Sequence, residues 1–75
     1  MLKIQRTVDG QRIVFILSGR IEGEQIPELQ RLFALETDGV SLVLDLREVE
    51  LVDREAVRFL ARCETEGITL VRCLA

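Results

Sequence analysis

The chain has 75 residues, of which 48% are hydrophobic and 31% are charged, and thirteen acidic against ten basic side chains give a net charge of −3. A chain of this length forms one domain with a modest core, because a small domain buries only about 60% of its unfolded surface. The composition excludes disorder. The excess of acidic side chains argues against a nucleic-acid partner, because their negative charge repels phosphate backbones.

Histidine is absent from the sequence, which excludes His-type metal sites and His-based catalytic triads. The two cysteines, Cys63 and Cys73, are too few for a disulfide scaffold and are predicted to be free thiols. The sequence contains neither a membrane-length apolar segment nor the apolar region of a signal peptide, so we expect a cytoplasmic protein that has no membrane partner.

The chain opens with a predicted hairpin. Residues 2–8 show the alternation of a half-buried strand, and Asp9-Gly10 is a strong hairpin signal. A second strand is predicted over Gln11–Leu17, ended by Ser18-Gly19. Its apolar run Ile13–Leu17 is typical of a strand covered on both faces.

A first helix is predicted over Gln25–Thr37, with Pro27 in its first turn and Asp38-Gly39 as its stop. An apolar strand follows over residues 40–46. We interpret residues 47–52 as a loop that buries Val49 and Leu51.

Asp53 is a good N-cap for a second helix from Arg54 to about Glu66, stopped by Gly67. Ile68–Cys73 reads as a last strand. The helical wheel puts six apolar residues on one broad face: Ala56, Val57, Phe59, Leu60, Ala61 and Cys63.

The predicted element order is β-β-α-β-α-β, which indicates an α/β fold with a small mixed sheet and helices packed on it. Strands that alternate with helices favour parallel pairing, and the first hairpin adds an antiparallel strand. An uncovered final strand would also allow pairing with another chain, and hence a homo-oligomer.

We find no nucleophile motif or phosphate-binding glycine loop. Two charged groups remain. The carboxylates of residues 45–55 form either a metal or acid–base site or, as we favour, a solvated loop plus an N-cap with local ion pairs. The stripe of Arg54, Arg58 and Arg62 either recognises an acidic partner or, as we favour, makes i, i+4 ion pairs with neighbouring glutamates.

The position of Cys63 beside Phe59 predicts an inert core thiol.

The stretch Leu42–Leu60, LVLDLREVELVDREAVRFL, resembles the signature of the STAS domain of bacterial anti-sigma factor antagonists and sulfate transporter tails. Asp45 and Asp53 match its two acidic positions and Val49 its apolar loop residue. The N-terminal hairpin and the segment Leu17–Ile21, at the end of the second apolar run, also resemble the family. Family domains usually continue with a further helix, strand and helix. We therefore expect residues 1–75 to form a single STAS-like domain that lacks them.

The resemblance implies a protein-interaction module without enzymatic activity or a cofactor, in which a serine or threonine after the aspartate is phosphorylated by a partner kinase. Here those positions are Arg54 and Glu55, and the family glycine is Ala56. Glu55 either mimics the phosphorylated state weakly or, as we favour, belongs to a cap with a local ion pair.

The resulting hypothesis is a bacterial module that binds another protein, such as an anti-sigma factor or a kinase-like regulator. The alternatives are an oligomerising module that pairs through its C-terminal strand, and a binder of a nucleotide or lipid. The expected partner-binding residues lie in the loop after the second strand and at the start of the second helix: Arg20, Glu22, Glu24, Asp53, Arg54, Glu55 and Arg58.

Overall fold

A mixed four-stranded sheet with the strand order β1-β2-β3-β4 organises the chain in the computed structural model, which describes residues 2–36 and 41–71. The strands are β1 (Leu2–Asp9), β2 (Arg12–Ile21), β3 (Ser41–Val52) and β4 (Thr69–Val71), the helices are α1 (Ile26–Ala34) and α2 (Arg54–Thr65), and a 3₁₀ turn spans Gly23–Gln25. This order and its mixed pairing confirm the predicted fold class.

The N-terminal hairpin confirms the Asp9-Gly10 signal. Strand β1 pairs antiparallel with β2, from Leu2 opposite Gly19 to Asp9 opposite Arg12. Gly10 has a φ of 63°, a left-handed conformation that glycine adopts without steric cost.

Both helices pack on one face of the sheet. Strands β2, β3 and β4 are parallel neighbours, so α1 and α2 act as crossovers between them. The prediction that β2 is covered on both faces is not met within the described residues, where Val14 and Ile16 are half-buried and lie outside the core cluster. That cluster joins one side of the sheet to both helices: Ile13, Phe15, Leu17, Ile21, Leu29, Leu44, Ala56, Phe59, Leu60 and Cys63.

Two strands run further than predicted, and these differences shape the candidate site. Ser18-Gly19 does not end β2, because Gly19 is accommodated within the strand at a φ of 95°. Residues 47–52 are not a loop but the second half of β3, which pairs with β2 across two register shifts. At each shift β3 carries one extra residue, as in a β-bulge. Val49 is half-buried, but Leu51 is 50% exposed, so the prediction that it is buried was wrong.

The helix bounds are close to those predicted. Pro27 lies in the first turn of α1, but the helix ends at Ala34, and the predicted stop at Asp38-Gly39 lies outside the described residues. Helix α2 ends at Thr65, and Gly67 follows with a φ of 100°. Strand β4 is described only as far as Val71, so the rest of the predicted final strand, with Cys73, also lies outside.

The three phenylalanines connect the sheet to both helices. Phe33 of α1 lies between Phe15 of β2 and Phe59 of α2, with ring-centroid distances of 5.3 Å and 6.0 Å. Such aromatic pairs contribute about 0.5–1.5 kcal/mol beyond their buried area. The contacts fix the positions of α1 and α2 relative to the sheet.

The buried arc of α2 is narrower than the predicted face. Ala56, Phe59, Leu60 and Cys63 are buried, whereas Val57 is 54% exposed and Ala61 is also exposed. At 100° per residue, these last two side chains point roughly 110–150° away from the centre of the buried arc. They therefore lie outside the core.

Cys63 is a core thiol, as predicted, with only 3% of its surface exposed. Burial raises the pKa of this thiol to about 11. At neutral pH it is therefore protonated and a poor nucleophile.

No described helix combines the length and the apolar character needed to cross a membrane.

We predict that Leu60→Ala lowers the free energy of unfolding by about 2–5 kcal/mol, because it removes a buried side chain and leaves a cavity. Urea unfolding measures the change. Val57→Ala is the matched control on the same helix and should cost less, since Val57 is half exposed. Equal losses in the two variants would show that α2 presents a different face to the sheet.

Candidate docking corner

The candidate site lies where the end of β2 and the 3₁₀ turn meet the junction between β3 and α2. We call this surface, formed by residues 20–25 and 53–58, the docking corner. The extended pairing of β2 with β3 brings the two segments together: Ile21 is opposite Val52, and the Asp53 amide donates to the Ile21 carbonyl oxygen at 3.1 Å.

Asp53 joins the two segments through its side chain. Its Oδ1 accepts a hydrogen bond from the Ala56 amide at 2.8 Å, which caps α2. Its Oδ2 accepts from the Gly23 amide, also at 2.8 Å. These backbone donors, from Ala56 first and then from Gly23, hold the pKa of Asp53 below its ordinary value. The carboxylate is therefore ionised at neutral pH and bridges the two segments.

Glu55 covers Gly23. A Cβ atom built at Gly23 would clash with the Glu55 carboxylate, so the absence of a side chain at this position leaves room for Glu55. The negative charge of Glu55 is thus placed against the 3₁₀ turn, at the start of α2, where the helix dipole favours an anion.

The turn carries its own local support. The Gln25 side-chain oxygen accepts from the Glu22 amide at 2.8 Å, and the Gln25 amide donates to the Glu22 carbonyl oxygen at 2.9 Å. This pair of contacts shapes the turn that presents Gly23 to Asp53. Pro27 then opens the first turn of α1 with a preset φ.

The structure brings together only part of the predicted residue set. Asp53 and Glu55 both contact Gly23, and Glu22 immediately precedes it. Arg20 and Glu24 are exposed, and within residues 2–36 and 41–71 their side chains form no hydrogen bond or ion pair.

The favoured ion pairs of the arginine stripe are not observed. In the part of the chain that the structure describes, no ion pair links Arg54, Arg58 or Arg62 to a glutamate. The three side chains are exposed on α2, outside its buried arc. Their positive charge is therefore left for solvent or for a partner.

Among the carboxylates of residues 45–55, those of Asp45 and Asp53 accept hydrogen bonds that stabilise the local structure. Asp45 is only 7% exposed, and its oxygens accept from the backbone amide, Nε and Nη2 of Arg47 at 2.8–3.1 Å. These donors lower the pKa of Asp45. No group of three acidic or cysteine side chains that could hold a metal occurs among the described residues.

Two grooves flank α2. The larger, with a volume of about 410 Å³, lies towards β4 and is lined by apolar residues only: Leu46, Val49, Val52, Val57, Leu60, Ala61 and Leu70. The smaller, of about 180 Å³, lies towards α1 next to the docking corner and has a mixed lining: Ile26, Gln30, Glu55, Arg58, Phe59 and Arg62. We call these the aliphatic groove and the arginine groove.

Sequence reasoning identified Asp53 as a cap but missed its second bond to Gly23. That contact joins residues thirty positions apart, and nothing in the local pattern indicates it. Phe59 was assigned to the apolar face of the second helix, and its place in a groove depends on how the two helices pack against each other. The arginine stripe was the available signal for this groove.

Neither a family model nor a curated protein matches the chain. Solved structures do match. An anti-sigma factor antagonist from Mycobacterium paratuberculosis superposes with a TM-score of 0.73 and 22% identity, over 96% of this chain and 66% of that one. A STAS-domain anti-sigma factor antagonist from Rhodobacter sphaeroides gives a TM-score of 0.65 at 11% identity, over 95% and 84% of the two chains.

A protein from Shewanella loihica with a SpoIIAA-like fold gives a TM-score of 0.62 at 13% identity, over 99% of this chain and 69% of that one. A longer protein, Mglu, gives 0.67 at 24% identity, and the match spans only 19% of its length. The chain thus spans about two thirds of the Mycobacterium antagonist and about a fifth of Mglu. Its structural neighbours are STAS-domain anti-sigma factor antagonists and SpoIIAA-like proteins, and it has their fold.

Proposed function

We propose that the chain is a non-enzymatic protein-interaction module that resembles an anti-sigma factor antagonist and binds its partner through the docking corner. The structural neighbours include proteins described as anti-sigma factor antagonists. At the positions that the STAS resemblance assigns to the phosphorylatable residues, this chain has Arg54 and Glu55. Binding is therefore not switched by a phosphoserine at the start of α2.

The observation that carries this proposal is the double hydrogen bond of Asp53. One carboxylate fixes both the turn at Gly23 and the start of α2 at Ala56. A surface whose two segments are already fixed loses less conformational entropy on binding than two independent loops. The residues proposed to contact the partner are Arg20, Glu22, Glu24, Arg54, Glu55 and Arg58, with Asp53 holding the segments that present them.

The chemistry of the corner supports binding over catalysis. Asp53 is an ionised acceptor whose two oxygens are both engaged by backbone amides. Its pKa is lowered, which makes it a weak base, whereas a general base at neutral pH requires a pKa near 7. In this site the carboxylate therefore has a structural role.

We predict that a partner protein captured from the source cell depends on the charge at Glu55. The immobilised chain should retain the partner, and Glu55→Arg should reduce recovery at least tenfold, because the reversed charge lies in the docking corner. Quantitative mass spectrometry of the bound fraction provides the measurement.

Glu50→Arg is the matched control, since it makes the same change of charge on an exposed residue of β3 outside the corner. It should retain the partner like the unmodified chain. Equal recovery by both variants, or no specifically retained protein at all, would refute the proposed function.

A second prediction concerns the pH dependence of the corner. Because the pKa of Asp53 is lowered in the folded state, its contribution to stability is present above its unfolded pKa of about 3.9 and is lost as the pH falls through the lower folded value. Asp53→Asn should therefore be less stable than the unmodified chain at pH 7, and the difference should shrink below about pH 4.

Urea unfolding at pH 7, 5, 4 and 3 gives the two stability curves. Subtracting one from the other cancels the titration of Asp45, which both chains share. A difference that stays constant down to pH 3 would mean that the Asp53 charge does not support the fold.

A second candidate function, the binding of an apolar ligand, is favoured by the aliphatic groove. Its volume of about 410 Å³ and its aliphatic side chains suit an acyl chain better than a nucleotide, which would need polar side-chain partners. We predict that decanoate raises the melting temperature of the chain and that Val57→Lys, on the exposed rim of the groove, abolishes the shift. An unchanged melting temperature at millimolar decanoate would exclude this candidate.

A further inference from the structure

The arginine groove lies between α1 and α2, beside the docking corner. Ile26 and Phe59 give it an apolar floor, while Arg58 and Arg62 stand on its rim. Phe59 is only 8% exposed and stacks on Phe33, so the floor is fixed by the core. The groove is therefore a preformed concave surface.

The two arginines present charge in a defined spacing. Because they are four residues apart on one helix, their Cα atoms are separated by about 6 Å along the axis. Neither forms an ion pair within the described residues, and both are exposed. The one carboxylate of the groove, Glu55, is turned towards Gly23 at the end of the groove.

The groove thus combines an apolar floor with two guanidinium groups that form no ion pair within the described residues. Guanidinium groups bind carboxylates through paired hydrogen bonds, and arginine is well suited to interfaces. Two carboxylates at positions i and i+4 of a partner helix have the same spacing as Arg58 and Arg62. An aliphatic side chain between them would cover Ile26 and Phe59.

A nucleic acid fits this groove less well than a protein segment does. The whole chain has a net charge of −3, so repulsion on approach grows with the number of negative charges on the ligand and is greatest for a polyphosphate. A short acidic segment brings fewer charges and can use the apolar floor.

We propose that the arginine groove binds an acidic, amphipathic helical segment of a partner protein, with two carboxylates on Arg58 and Arg62 and an aliphatic residue on Ile26 and Phe59. The inference rests on the proposed function and specifies the chemistry of the partner. It adds Arg62, Ile26 and Phe59 to the residues that contact the partner.

The test selects random sixteen-residue peptides displayed on phage against the whole chain and measures the affinities of the enriched peptides by fluorescence anisotropy. We expect enriched peptides to carry paired Asp or Glu residues around an aliphatic residue. The double variant R58E/R62E should weaken their binding at least tenfold. Amide resonances of Ile26 and Phe59 should shift on titration with these peptides.

The control is R12E/R31E, which makes the same change of net charge at exposed positions that do not line the groove. It should bind within twofold of the unmodified chain, and circular dichroism should show that both double variants are folded. Enrichment of neutral or basic peptides, no enrichment, or equal loss in both double variants would overturn the inference. So would tighter binding of a single-stranded oligonucleotide than of any peptide at the same groove.

The test separates this inference from the proposed function. If Glu55→Arg abolishes partner capture but Arg62→Glu, which changes a groove residue outside the docking corner, leaves it intact, the docking corner binds the partner and the arginine groove does not. If neither change affects capture, both proposals fail.

Discussion

The docking corner depends on one carboxylate that accepts from two backbone amides far apart in sequence. Asp53 caps α2 through Ala56 and holds the turn after β2 through Gly23. Each amide would otherwise need another acceptor or water, because a helix start and a turn both leave donors unpaired. A single side chain satisfies both and so couples a loop to a helix.

The sheet makes this coupling possible. Strands β2 and β3 stay paired beyond their apolar runs, as far as Ile21 opposite Val52, and this extension places Gly23 next to the start of α2. The extended pairing is irregular: it contains two register shifts, at which β3 carries an extra residue, and Gly19 of β2 adopts a positive φ. Glu55 then lies over Gly23, where a larger residue would collide with it.

Much of the fold could be predicted from the sequence because several of its signals are local. Asp9-Gly10 predicted the hairpin turn, Asp53 the N-cap and Gly67 the end of α2. The extension of β3 was missed because three of the four residues 47–50 are charged and only Val49 is apolar. Such a composition is typical of a loop when the partner strand is unknown. The Gly23 contact and the arginine groove were missed because each depends on tertiary placement. The resemblance of Leu42–Leu60 to the STAS signature indicated where the docking corner lies. The structural comparisons confirm that the chain has a STAS-like fold.

The most direct measurement of the central claim, that Asp53 makes the turn and the helix start one unit, is amide hydrogen exchange by NMR in the unmodified chain and in Asp53→Ala. The account predicts that the Gly23 and Ala56 amides both exchange at least tenfold faster in the variant, while the Leu44 amide in the sheet changes no more than global stability requires. Faster exchange at Ala56 with unchanged exchange at Gly23 would contradict it, because Asp53 would then be an ordinary helix cap and the two segments would be independent.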